Sequence, residues 1–280
     1  ICLSNINLNF NHDLHSDEYD SLIYPEQKHR DQALLISRLL SKYHYKKMAF
    51  DDSLSSNIKY LFCPASREIE IEDILETCEK MPENVFAGIG IHPHHSSELK
   101  PNTYRNLKQH ANHDSVKAIG EIGLDYFRNF QSHEIQKKCF EHLLELAIET
   151  KLPAFLHHRD AFSDFYPILN NAIDHLSPSI VHCFTGTKEE LKSFLDLGLY
   201  IGITGWICDP KRGNEVKSLL KYIPTDRMLI ETDAPYLLPK DLKPKPQNNR
   251  NEPKHLNHIL SAIAKAVSYT HLTLPPNREV

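Results

Sequence analysis

Short apolar runs alternate with helix-periodic stretches along most of this chain, and that alternation leaves few folds open. Runs at residues 60–63, 85–91, 116–120, 153–156, 179–181, 199–203 and 228–230 are of strand length, too short for core helices. A weakly alternating start at 1–8 makes an eighth. Helical spacing or composition predicts helices at 28–43, 69–78, 99–113, 132–150, 162–176, 188–197, 215–222 and 253–267. Ser132 reads as an N-cap, and Pro253 suits a first helical position. Eight strands alternating with helices predict an α/β protein with one (β/α)8 barrel, the TIM barrel. A doubly wound open sheet competes, but the Gly-rich first turn it uses is missing. All nine glycines lie between Gly88 and Gly213, in or beside the later strands. One domain is therefore expected over residues 1–267.

How the strands end carries the functional information. Met228-Leu229-Ile230 stops abruptly in Glu231, Thr232 and Asp233, and Pro235 prevents it from continuing as a ladder member. A lone Asp at such a place usually caps the next turn. Here, however, Glu121, His157 and His182 stand at the ends of three other predicted strands, and His92 and His94 at a fifth. A barrel brings the C-terminal ends of its strands to one rim, so residues far apart in sequence converge there. Two imidazoles and two carboxylates form a mixed N/O donor set suited to Zn²⁺, Mn²⁺ or, with more water, Mg²⁺. Glu121, His157, His182 and Asp233 are thus the expected ligands of one or two divalent ions. Such an ion activates water and polarises the bond under attack. Asp233, with Glu121, is the expected catalytic carboxylate, placed to accept the water's proton. His92 and His94 are expected to bind substrate phosphate or move protons. His158 should point away from His157, because side chains alternate along a strand. Glu231 shares the parity of Asp233, and reads either as facing the site or as orienting a ligand. His95, His110, His113, His133, His142 and His175 fall in loops or helices and are expected to take no direct part.

Composition narrows the function classes further. Forty per cent hydrophobic and 25% charged residues describe a globular chain with a sizeable core. No apolar run approaches a bilayer span, so no membrane association is expected. Six cysteines without CxxC or finger spacing read as reduced core thiols of a cytoplasmic protein, a nuclear location being the eukaryotic equivalent. A net charge of −5 argues against a protein that coats nucleic acid, though not against a metal-assisted nuclease. The chain starts at Ile1, and residues 268–280 have no periodicity and resemble translated adaptor sequence. The domain is therefore expected to be truncated at both ends, with 268–280 a non-native tail outside the fold.

The segments Gly90-Ile91-His92-Pro93-His94, Gly120-Glu121-Ile122-Gly123-Leu124-Asp125, His157-His158-Arg159-Asp160-Ala161, His182-Cys183-Phe184-Thr185-Gly186 and Glu231-Thr232-Asp233-Ala234-Pro235-Tyr236-Leu237 occur in that order. Together they resemble the signature of the TatD-type metal-dependent deoxyribonucleases. Gly202-Ile203-Thr204-Gly205-Trp206 and Arg250-Asn251-Glu252-Pro253 resemble the branch nearest TatD itself. The resemblance implies an amidohydrolase-like TIM barrel that hydrolyses DNA phosphodiesters, 3′→5′ on single strands, with Mg²⁺ or another divalent ion. It also implies a part in DNA repair or breakdown, no obligate protein partner, and ligand roles for Glu121, His157, His182 and Asp233. The sequence departs from the family where many members carry His-x-His at the end of strand one: here Asn7-Leu8-Asn9 stands instead. Two other readings compete. One is a metal-dependent ester or amide hydrolase such as an aminoacyl-tRNA deacylase; the other is an inactive barrel that serves as a binding protein. Lys240, Lys243, Lys245 and Arg250, expected near the rim, favour a phosphate-bearing substrate unless they form a plain solvated loop.

Overall fold

The computed structural model describes residues 60–247 and 249–267, together with Cys2, Leu3, Asp52, Ser56 and Ile58. Its strands are β1 (Cys2–Leu3), β2 (Leu61–Pro64), β3 (Val85–Ile89), β4 (Val116–Asp125), β5 (Ala154–Arg159), β6 (Ile180–His182), β7 (Tyr200–Ile203) and β8 (Met228–Glu231). They hydrogen-bond in the order β1-β8-β7-β6-β5-β4-β3-β2, every pair parallel. β1 and β2, the two ends of that order, lie against each other. The sheet therefore curls round into a (β/α)8 barrel, as the alternation predicts. The expected helix at 28–43, Asn7-Leu8-Asn9 and the tail at 268–280 lie outside the described residues.

The described helices are α1 (Ile71–Lys80), α2 (Pro101–His110), α3 (His133–Thr150), α4 (Phe162–Ala172), α5 (Lys188–Asp196), α6 (Gly213–Leu219) and α7 (Leu256–Ala266). Local chemistry sets several of their ends. Ser132 caps α3, its hydroxyl accepting from the Ile135 amide, and Thr187 with Glu190 forms a reciprocal capping box at α5. Four expected helices tighten into 3₁₀ turns at one end: α1 before its start over Glu68–Glu70, α4 over Ile173–His175, α6 over Leu220–Tyr222, and α7 before its start over Pro253–His255. No described helix is long and apolar enough to cross a membrane.

The apolar residues divide into two clusters. The larger packs the helices on the outside of the strands, with Ile119, Ile122, Leu156, Val181, Ile201 and Phe165 fully buried. The smaller joins Phe62, Phe86, Ala118, Phe155, Ile180, Tyr200 and Leu229, one residue from each of β2 to β8. Side chains contributed by seven neighbouring strands meet only inside the barrel, so this cluster is a plug below the rim. The Phe155 ring lies 4.8 Å from the His182 ring, where the plug becomes the floor of the site.

Candidate metal centre and cleft

The expected site residues converge. His92, His94, Glu121, His157, His182 and Asp233 all line one cleft of about 620 Å³ at the C-terminal ends of the strands. A local irregularity explains the placing of Glu121. In the β4–β5 ladder Gly120 pairs with Phe155 and Ile122 with Leu156, so Glu121 is an extra residue. A bulge of this kind re-aims the side chain it carries. Its carboxylate becomes the hub. Glu121 Oε1 lies 2.8 Å from His157 Nδ1, 3.5 Å from His92 Nε2 and 3.8 Å from His182 Nε2.

Asp125, at the end of β4, is the residue that the sequence reading quoted but gave no role. Its Oδ2 is 2.8 Å from His94 Nε2 and 3.4 Å from His157 Nε2. Gln136 on α3 holds its backbone at both ends, accepting from the Asp125 amide and donating to the Asp125 carbonyl. Its strand position gave the signal: 121, 123 and 125 share parity, so Glu121 and Asp125 face the same way.

Glu231 is resolved as a support. It is 1% exposed, lies behind His182, and its Oε2 accepts from His182 Nδ1 and from the Cys183 amide. The bond leaves His182 Nε2 directed at Asp233 Oδ1, 3.4 Å away. Glu231 Oε1 fills the space beside Gly202, where a Cβ would stand 2.0 Å from it. Asp233 itself has φ 56°, a left-handed conformation that Asp tolerates better than most residues. The turn around it is braced from outside: buried Asn251 donates to the Thr232 carbonyl, and its own amide donates to the Pro235 carbonyl.

His158 points away from the cluster as expected, with its ring among Phe162, Phe165 and Phe194. Of the histidines set aside, His95 does line the cleft, and its Nδ1 is 3.4 Å from Glu98. The cations along the cleft are Arg67, Arg128 and Arg159, not the lysines of the 240–250 loop. Lys240 is instead paired with Asp209 at 2.7 Å.

The electrostatics are those of crowded acids and imidazoles in a poorly solvated space. Burial opposes ionisation of Glu121, yet His92, His157 and His182 outweigh it and hold the carboxyl well below the usual carboxylate range. Asp125 is likewise held low against burial, by His157, His94 and the Arg128 amide. Burial also opposes protonation of His157, but Asp125 and Glu121 push it up to about 9. His182 is raised for the same reason, burial being outweighed by Glu231 and Asp233. His92 is lowered well below its ordinary value, by burial above all, with Glu121 working against the shift.

Two groups of donors within the cleft have atoms lying within 4.8 Å of one another: His92, Glu121 and His157, and then His182, Cys183 and Asp233. Burial pushes the Cys183 thiol up to about 12, so His182 and Asp233 are the readier donors of the second group. The N/O donor chemistry fits a divalent ion of borderline to hard character. The buried His157 Nε2, which makes no well-aligned hydrogen bond among the described residues, fits too.

Comparison with known proteins agrees with this geometry. Residues 32–274 match the family model described as TatD related DNase. A protein of Salmonella typhimurium named "3'-5' ssDNA/RNA exonuclease TatD" is 42% identical over 212 residues, which are 76% of this chain and 81% of that one. One of the same name from Citrobacter koseri is 50% identical over 175 residues, 62% of this chain and 67% of that one. Among solved structures, a hydrolase TatD family protein from Entamoeba histolytica superposes with TM-score 0.70 at 28% identity, covering 79% of this chain and 82% of that one. The TatD homolog YJJV from Escherichia coli K12 shares the fold with TM-score 0.73 at 23% identity, covering 80% and 84%. Sequence and architecture agree: the chain belongs to the TatD related DNase family.

Proposed function

We propose that this protein is a metal-dependent nuclease that removes nucleotides from the 3′ end of single-stranded DNA or RNA. The observation that carries the reading is the convergence of His92, His94, Glu121, Asp125, His157, His182 and Asp233 on one cleft. The shared name of the relatives supports the substrate and the direction of attack. Glu121, His157, His182 and Asp233 would hold the metal, with His92 beside them and Glu121 between the two donor groups. When bound, a divalent ion supplies a nucleophilic water near neutral pH and polarises the phosphodiester.

The chain's own groups do the rest. Without an ion, protons on His157 and His182 offset the surrounding carboxylates, and both imidazoles would have to give them up to hold a cation. Asp233 Oδ1 faces His182 Nε2 at the cleft and is the acceptor for the attacking water's proton. Glu231 fixes the His182 ring from behind, and Asp125 does the same for His94 and His157. Arg128 and Arg159 are positioned along the cleft to meet phosphates, while Arg67 beside them is paired with Glu98 at 2.7 Å.

Cleft size supports an unpaired strand end. At about 620 Å³ it has the dimensions of a small-molecule site, matched to the end of one strand. Phe130 and Tyr236, 63% and 54% exposed, stand at its mouth with Trp206. Exposed aromatic faces beside cationic side chains suit the stacking of unpaired bases. No feature of the cleft favours the aminoacyl-ester or inert-barrel reading.

End-labelled single-stranded DNA incubated with Mg²⁺ or Mn²⁺, with and without EDTA, tests the proposal. Shortening from the 3′ end that stops in EDTA is expected. Asp233→Asn should reduce it by at least about 10²-fold, as loss of a proton acceptor does. Full activity in Asp233→Asn would remove Asp233 from the mechanism, and a folded, metal-loaded chain that cuts neither DNA nor RNA would overturn the reading.

A further inference from the structure

A second cluster of metal-competent side chains lies outside the cleft. Cys208 closes the 3₁₀ turn Gly205–Cys208 after β7, Asp241 belongs to the loop after β8, and His258 sits in the first turn of α7. They come from three separate elements, with Asp241 and His258 lying 33 and 50 residues beyond Cys208. Even so, Cys208 Sγ and one donor atom from each of the other two lie within 4.8 Å of one another. Asp241 Oδ1 is 2.7 Å from His258 Nε2. Cys208 is 3% exposed, while the side chains of His258 and Asp241 are 30% and 56% exposed, so the cluster has a buried sulfur and an open face.

We propose that Cys208, Asp241 and His258 form a zinc-binding site distinct from the nuclease centre. The donor set decides the metal. Thiolate, carboxylate and imidazole around one ion are a zinc combination, and a thiolate discriminates against Mg²⁺. Charge balances as well. One thiolate, one carboxylate and a neutral imidazole around Zn²⁺ sum to zero, which suits a site with a buried side. Three protein ligands leave the fourth tetrahedral position to water on the exposed side.

The proton count follows. Without metal, Cys208 is a protonated thiol, pushed up to about 12 first by burial and then by Asp241. Asp241 is lowered, since His258 and the Cys208 thiol together outweigh its burial. Binding exchanges the S–H bond for an S–Zn bond and releases that proton to solvent. Zinc affinity therefore rises with pH. The three ligands join the Trp206 turn, the 232–252 loop and α7. Trp206 and Tyr236 line the catalytic cleft, so zinc here would clamp the cleft's outer wall without entering it.

Cobalt(II) substitution in the full chain tests this without any nuclease assay. A thiolate bound to Co²⁺ gives an intense near-ultraviolet charge-transfer band, which nitrogen and oxygen ligands do not give. Cys183, in the catalytic cleft, is the internal control. The expected result is about one equivalent of the band per chain, displaced by Zn²⁺ and untouched by excess Mg²⁺. The band should persist in Cys183→Ser and vanish in Cys208→Ser. Asp241→Asn and His258→Gln should each weaken Co²⁺ binding at least tenfold. Their side chains are partly exposed, so they decide the matter should Cys208→Ser lose its native circular dichroism. No band in the wild-type chain, an unchanged band in Cys208→Ser, or unchanged affinity in both surface variants would overturn the site. None of these results depends on whether the cleft cleaves DNA.

Discussion

His158 shows how burial alone sets the behaviour of one residue. It follows His157 directly, but strand alternation turns it into an aromatic pocket where its Nε2 makes no hydrogen bond among the described residues. Burial, with His157 adding to it, lowers its pKa to about 4. A His whose folded pKa lies below its unfolded value of about 6.5 binds more protons when unfolded. Its neutral form therefore supports the fold above about pH 6.5, and that support is lost as the pH falls toward 4. The loss amounts to as much as roughly 3 kcal/mol for this group. His158→Phe keeps a ring in the pocket and removes the titration. Denaturant melts in EDTA at pH 7 and pH 4.5 should show the wild type losing up to about that much more stability than the variant. Equal losses in both proteins would show that His158 does not titrate on unfolding. At the same scale, the sequence left the role of Glu231 open, because parity places a side chain on a face but not at a depth. Its position behind His182 follows from which neighbour leaves room for a carboxylate.

That neighbour is Gly202, and the coupling belongs to the scale of elements. β7 and β8 pair with Gly202 against Leu229, and across the pair the Glu231 carboxylate lies over the missing Cβ. Gly202→Ala puts a methyl group where Glu231 Oε1 now stands, so the carboxylate must move and His182 loses its support. The variant should remain folded, with a melt showing roughly 1–3 kcal/mol of overpacking cost. Its kcat should fall at least about tenfold although no group facing the cleft has changed. Wild-type kcat in a folded Gly202→Ala protein would show that Glu231 does not position His182 for catalysis. The β4 bulge and the Asn251 brace are devices of the same kind, holding Glu121 and Asp233 by way of their backbones.

For the whole molecule, the barrel buries a plug of Phe62, Phe155 and their neighbours below the rim and leaves the chemistry above it. The cleft above is walled by loops that carry exposed aromatics. Phe130, whose ring lies 4.7 Å from the His94 ring, is one of the aromatic residues at the mouth. Phe130→Ala should raise KM for a single-stranded oligonucleotide by roughly ten- to a hundredfold, the worth of one stacked base. Turnover of a small phosphodiester that has no base to stack should hardly change. Equal effects on both substrates would make Phe130 a structural wall and not a stacking platform.

Much of this was legible from the residues in order. The alternation of apolar runs and helical segments dictated the barrel, because strands and helices of those lengths bury their apolar faces together in few ways. Strand-end chemistry marked His92, His94, Glu121, His157, His182 and Asp233, because a barrel gathers those ends whatever lies between them. The tertiary structure decided what depends on register and depth: the bulge that aims Glu121, the pairing of Asp125 with His94 and His157, and Glu231 behind His182. It also chose the cations of the cleft, Arg67 and Arg128 from loops and Arg159 from the end of β5, and not the lysines of the 240–250 loop. Contacts between residues tens of positions apart are set by how the strands pack, and no local pattern encodes them. The grouping of Cys208, Asp241 and His258 arises in the same way, three unremarkable residues until the chain closes on itself.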